Sequence, residues 1–157
     1  KSLAAERDAE AQGEMRKQIV NFLLGKVEFD LPESLVAHET RSIIYDVVRE
    51  NSVRGVSKET LEEKKNEIYG MATQSAKERL RTSFILDAIA EKEKVTVSEE
   101  EMETRLAALA QRYRVTPERL KAQLDERGGL AEVEDQIRTG KTLDFLIANA
   151  KVEITKE

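Results

Sequence analysis

Three times the chain leaves an apolar-striped helical stretch through the same short phrase: Lys26-Val27-Glu28-Phe29-Asp30, Lys94-Val95-Thr96-Val97-Ser98 and Lys151-Val152-Glu153-Ile154-Thr155. Two copies lead straight into a helix start, Asp30-Leu31-Pro32-Glu33 and Ser98-Glu99-Glu100-Glu101. Asp30 and Ser98 are N-cap residue types with a Glu three positions on, so side chain and backbone can satisfy each other's unpaired N–H groups. Pro32 falls in the first turn, where its missing N–H costs nothing. Helices joined by such breaks cannot continue as one rod. The pattern predicts an angular, all-α chain with long projecting pieces.

At 157 residues the chain has room for one domain of ordinary size. Charged residues make up 36 % and aromatic residues 4 %, with no Trp, so the expected core is aliphatic and thin. A net charge of −5, with Lys and Arg interleaved among Asp and Glu, argues against direct nucleic-acid or anionic-membrane binding. The absence of Cys fits a reducing compartment. No apolar run approaches the ~20 residues that span a bilayer. Lys1 is not a natural start, and the chain reads as a piece of a longer protein.

Helical periodicity places a first helix over residues 3–24, striped by Met15, Ile19, Phe22 and Leu23 and stopped by Gly25. A second runs over 32–51 with Val36, Ile43, Ile44, Val47 and Val48 on one face. Arg54-Gly55-Val56-Ser57 is a turn that hands Ser57 on as the next N-cap. A third helix is expected to run unbroken over 58–93. Its middle, residues 73–83, carries only Ala76 and Leu80 as apolar residues, which suits an exposed connector or half of a helical hairpin. A fourth helix carries Met102, Leu106, Leu109 and Tyr113. Thr116-Pro117 opens a short fifth with Leu120 and Leu124 on one face, ended at Arg127-Gly128-Gly129. A sixth carries Leu130, Val133, Ile137, Leu143, Leu146 and Ile147, with Gly140 as its weak point.

Chemistry is sparse. The one histidine, His38, sits beside Glu39 and Ser42 without a strained nucleophile turn, so it reads as a solvated helical residue and no catalytic residue is expected. The acidic run from Ser98 to Glu103 is explained by capping and by favourable charge at a helix N-terminus, so no metal is expected. Gly128-Gly129 lacks the following Lys-Ser/Thr of a phosphate loop, and no cofactor is expected. What remains is surface: short aliphatic stripes, joined at angles, leave partly covered grooves into which an extended chain can lay apolar side chains. The competing expectation for each stripe residue is ordinary core.

The run MRKQIVNFLLGKVEFDLPESLV, from Met15 to Val36, resembles the start of the C-terminal chaperone domain of bacterial trigger factors. There a helix rich in Arg and Lys ends in a V-x-hydrophobic-x-hydrophobic-Pro phrase that opens the first arm. VSEEEMETRLAALAQRY before a Pro-initiated helix, and the closing KTLDFLIANAKV, fit the same ordered succession. The resemblance covers almost the whole chain, and residues 96–129 would also suit the helical modules of periplasmic parvulin-associated chaperones.

The resemblance implies an elongated multi-helix body, about residues 1–31 and 130–157, with two projecting arms over about 32–129. It implies a cytoplasmic, ATP-independent holding chaperone domain that binds unfolded or nascent polypeptides. The family's ribosome-docking motif and its prolyl isomerase domain have no counterpart among these residues, so no enzyme activity is expected here. Client-lining positions would be Leu109, Tyr113, Leu120 and Leu124 in the second arm. Ile43, Ile44 and Val47 would line the first, whose Arg54–Lys58 turn is shorter than the usual arm tip. The runner-up reading is a structural interaction module that packs against its own parent or forms a homodimer.

Overall fold

The computed structural model describes residues 3–150, with side chains from residue 10 onward. The third Lys-Val phrase, 151–155, lies outside the described residues. The described chain is all-α and without a strand: α1 (Leu3–Lys26), α2 (Glu33–Val53), α3 (Lys58–Glu63), α4 (Lys65–Lys92), α5 (Glu99–Tyr113), α6 (Pro117–Asp125) and α7 (Gly129–Asn149). Two compact units divide it, one formed by 1–19 with 86–157 and the other by 20–85, so α1 and α4 each contribute to both.

The caps expected at Ser57, Ser98 and Thr116 all form. Ser57 Oγ accepts from the Thr60 N–H and Thr116 Oγ1 from the Arg119 N–H. Ser98 makes a reciprocal box: its Oγ accepts from the Glu101 N–H at 3.2 Å while Glu101 Oε2 accepts from the Ser98 N–H at 2.8 Å. The cap expected at Asp30 does not form. Pro32 itself is the N-cap of α2, its carbonyl accepting from the Leu35 and Val36 N–H groups with no side-chain cap. The proline ring holds φ at −57° while ψ is extended at 124°, so the first helical residue is Glu33 and Asp30 lies a step too early. Gly25 is not a stop either. It stays helical, and α1 continues through Lys26 because the Val27 N–H still reaches the Leu23 carbonyl at 3.1 Å.

The single helix expected over 58–93 is two helices, broken at Lys64 (φ −93°, ψ 6°). Residues 62–67, EEKKNE, offer no apolar side chain whose packing would hold the axis straight, and Lys65 closes the break with an ion pair to Glu62 at 2.9 Å. The polar middle of α4 is not wholly exposed, because Ala72 and Ala76 are buried against Ile43. Gly128 (φ 69°) does not close α6, which already ends at Asp125. It turns the chain into α7, which runs through Gly140 unbroken.

Three junctions share a construction that the Lys-Val echo only partly announces. Gly55, Lys94 and Arg114 take up left-handed backbone, at φ 83°, 55° and 57°. In each, the N–H of the following valine bonds five residues back: Val56 to Asn51, Val95 to Ala90, Val115 to Ala110. This is the Schellman arrangement, which returns the orphan carbonyls of a helix end to a partner. A Ser or Thr N-cap then follows within one to three residues of each valine.

In the 20–85 unit, α2 and α4 run as an antiparallel hairpin. Phe29 meets Phe84 edge-to-face at 6.1 Å, Glu39 pairs with Arg79 at 3.2 Å, and Ile43 packs on Ala72 and Ala76. In the other unit, α5, α6 and α7 are in mutual contact around buried Leu106, Ala110 and Leu120. Lys141 of α7 ties that trio to the chain before α5. Its Nζ lies 2.7 Å from Glu101 Oε1, 2.8 Å from Oε2 and 2.6 Å from the Thr96 carbonyl. That ammonium, together with the Ser98 N–H, holds the Glu101 carboxyl below the usual carboxylate range.

Candidate functional site

Two helices cannot hide as much apolar surface as three. On α2 the stripe from Ile43 to Val48 is wider than the alanine face that α4 offers it, because Ala72 and Ala76 bring the helices close but supply only methyl groups. Toward the turn of the hairpin the helices leave a groove of about 460 Å³. Ile44 and Val48 form one wall, Leu61 of α3 and Ile68 and Tyr69 of α4 the other. Elsewhere on the same two helices Tyr45, Val53 and Met71 are 68 %, 83 % and 65 % exposed.

The rim is charged. Lys58, Glu62 and Lys65 border the groove, with Lys65 and Glu62 paired. The Lys65 ammonium is raised above its ordinary pKa by that hydrogen bond and by the Glu62 charge. Nearby, the Glu59 carboxyl is lowered by its own backbone N–H and by the Ser57 hydroxyl that starts α3. Both shifts favour the charged forms of Lys65 and Glu59, which keeps an apolar trough wettable at its edge.

The residues singled out from the sequence fall into three environments. Ile43 and Leu120 are buried, at 8 % and 7 % exposure, and each belongs to its own unit's core. Val47 is half-buried on the Ile43 cluster, and Leu109 and Leu124 are half-buried on the Leu106–Ala110–Leu120 cluster. Ile44 is half-buried on the Ile43 cluster and also lines the groove. Tyr113 stands 64 % exposed at the end of α5, outside the cluster that gathers Leu109, Leu120 and Leu124. Sequence reasoning passed over Leu61, Ile68 and Tyr69. The apolar spacing of Leu61 and Ile68 was readable, but the side of the hairpin left without a partner was not.

A second groove, of about 320 Å³, lies between the start of α2 and the stretch of α4 from Tyr69 to Arg81. Asp30, Glu33, Thr40, Lys77 and Arg81 line it with Leu31 and Val36. Thr40 is 2 % exposed, and its Oγ1 has no hydrogen-bond partner. The contrast with other helical threonines is direct: Thr73, Thr82 and Thr142 each donate to the carbonyl four residues back at 2.8 Å. A buried hydroxyl left unpaired costs ~1–3 kcal/mol.

Among the described residues no group of three or more His, Asp or Glu side chains is placed to hold a metal ion. No described helix is long and apolar enough to cross a membrane.

A family model described as "Bacterial trigger factor protein (TF) C-terminus" matches residues 1–148. The chain is 35 % identical over 147 residues to the trigger factor of Opitutus terrae, a match covering 93 % of this chain and 33 % of that protein. It is 33 % identical to the trigger factor of Rhodococcus jostii, with 98 % of this chain and 34 % of that protein covered. The chain thus spans about a third of the length of the curated relatives it matches. The fold is similar to a solved structure described as "Structures of and interactions between domains of trigger factor from Themotoga maritim". That match has a TM-score of 0.71 at 19 % identity and covers 90 % of this chain and 84 % of that one.

Proposed function

Because the chain belongs to the bacterial trigger factor family and matches its C-terminal part, we propose that it is an ATP-independent holding chaperone domain for unfolded or nascent polypeptides. The observation that carries this reading is the apolar groove near the turn of the α2–α4 hairpin, on helices that also expose Tyr45, Val53 and Met71. An extended client lays apolar side chains against Ile44, Val48, Leu61 and Ile68 while its backbone stays hydrated at the charged rim. Aliphatic contacts impose no directional demand, so recognition is broad. Burying one large aliphatic side chain contributes ~1.5–3 kcal/mol, against ~1–2 kcal/mol for ordering each client residue. A single segment therefore binds weakly, and several segments engaging together bind well. Leu109, Leu124 and exposed Tyr113 extend the same capacity to the α5–α6 end.

In this reading the segment turns over no substrate, takes no cofactor and works in the cytoplasm. Ribosome docking and prolyl isomerisation belong to other parts of the full-length family members. The test is suppression of aggregation of a chemically unfolded, unrelated protein by this chain, with and without ATP. Suppression should be equal in both conditions. It should fall several-fold in the Leu61→Ser/Ile68→Ser double variant, while thermal stability changes little. No suppression by the wild-type chain would leave the interaction-module or homodimer reading instead.

A further inference from the structure

We infer that the second groove of the hairpin is a carboxylate site, taking one Asp, Glu or C-terminal carboxylate of a bound polypeptide. The inference rests on the polypeptide-binding reading above and adds to it a chemical selectivity that the apolar groove lacks. Lys77 and Arg81 stand one helical turn apart on α4 and both line the groove. Arg79, between them in sequence, is neutralised by Glu39, whereas no ion pair of the described residues engages Lys77 or Arg81. The Arg81 Nε–H is buried without an acceptor, and the Thr40 hydroxyl, from the facing wall, is buried without any partner. Two buried donors without an acceptor and two cations that pair with neither Asp30 nor Glu33 leave room in one small groove for a single kind of group. A carboxylate, which only accepts and can take two donors per oxygen, is that group.

Asp30 and Glu33 line the same groove and set a limit on the ligand. Neither lies within ion-pair distance of Lys77 or Arg81. A second negative charge on the ligand would meet their repulsion. The site therefore prefers a single carboxylate to a phosphate-bearing side chain. Leu31 and Val36 accept the apolar stem that carries it.

The experiment titrates the 157-residue chain into three labelled ten-residue peptides of one apolar sequence, followed by fluorescence anisotropy at low salt. One peptide is amidated and neutral, one has a free C-terminal carboxylate, and one is amidated with a single internal Glu. At least one carboxylate form should bind roughly tenfold tighter than the neutral form, and which one gains identifies the source. Lys77→Gln with Arg81→Gln should erase that gain while leaving the neutral peptide's affinity unchanged. Thr40→Val should reduce the gain and raise the melting temperature, because it removes the orphan hydroxyl. A fourth peptide, with phosphoserine in place of that Glu, should bind no tighter than the Glu peptide, and tighter binding would overturn the preference for a single carboxylate. Equal binding of all three peptides by the wild-type chain overturns the carboxylate site and leaves the polypeptide reading standing. A gain that survives the double Gln variant also overturns it. Binding of no peptide at all overturns both.

Discussion

Around Leu106, Ala110 and Leu120 three helices and the valine of a junction meet, whereas the cluster around Ile43, Ala72 and Ala76 draws on two helices alone. Both groups start from the same kind of material, short aliphatic stripes on heavily charged helices. The trio closes because α6 is short and turns back at Gly128, bringing Leu130 of α7 onto the stripe that α5 and α6 already share. The hairpin stays open because α4 presents alanines where a third helix or a larger side chain would be needed. Apolar surface left uncovered by two-helix packing is what a binding groove requires. The same economy of core that makes the hairpin serviceable makes it the less tightly packed of the two.

The sharpest way to break that contrast is to truncate one core residue on each side. Leu106→Ala should cost about 3 kcal/mol, and Ile43→Ala, whose neighbours are already small, about 2 kcal/mol, measured by urea unfolding with hydrogen exchange to locate the loss. Equal costs would mean that the hairpin is packed as well as the trio.

The junctions sharpen it next. Lys94 and Arg114 hold left-handed backbone with a Cβ, so Lys94→Gly and Arg114→Gly should each stabilise the trio by about 1 kcal/mol. Gly55→Ala should destabilise the hairpin by a similar amount. A smaller effect should be alike on both sides. Gly70 and Gly140 sit inside helices with open space where a Cβ would go, so Gly70→Ala and Gly140→Ala should each add about 0.5–1 kcal/mol in thermal melts.

The smallest effect is read at Glu101 in the trio. Glu101 has a lowered carboxyl in the folded state, so below the ordinary carboxylate value the unfolded chain binds a proton that the folded chain resists. Stability should therefore fall as pH drops through that range, and Lys141→Ala should flatten the dependence. Amide exchange around Ile43 should not respond to Lys141→Ala.

Capping chemistry was legible because it is local: Ser57, Ser98 and Thr116 each needed only a hydroxyl and an N–H three residues on. The all-α class was legible from stripe spacing. What was hidden depended on backbone angles that no residue type enforces. Lys94 and Arg114 occupy positions where glycine is the usual signal, and Lys64 breaks a helix with one change of ψ. Asp30 looked like a cap, but Pro32 moved the helix start. At the site, the α2 stripe was visible, but its division into buried Ile43 and groove-lining Ile44 depends on which side α4 approaches. Thr40 carried no signal at all, since nothing in its sequence separates it from the threonines that bond backward along their helices.

The left-handed junctions have a consequence for how the chain acquires its shape. Each is closed by a hydrogen bond spanning five residues, and each is followed at once by a side-chain cap, so a change of helix direction is written before any distant segment arrives. Helices and their joints can form concurrently as the chain lengthens, leaving to diffusion the docking of α2 with α4, of α5 with α6 and α7, and of α1 with the unit that the last three helices build. Contacts this local form without first closing a long loop, which is the slow part of building a fold. On the function proposed above, a domain that holds unfolded chains would thus have its own joints set early.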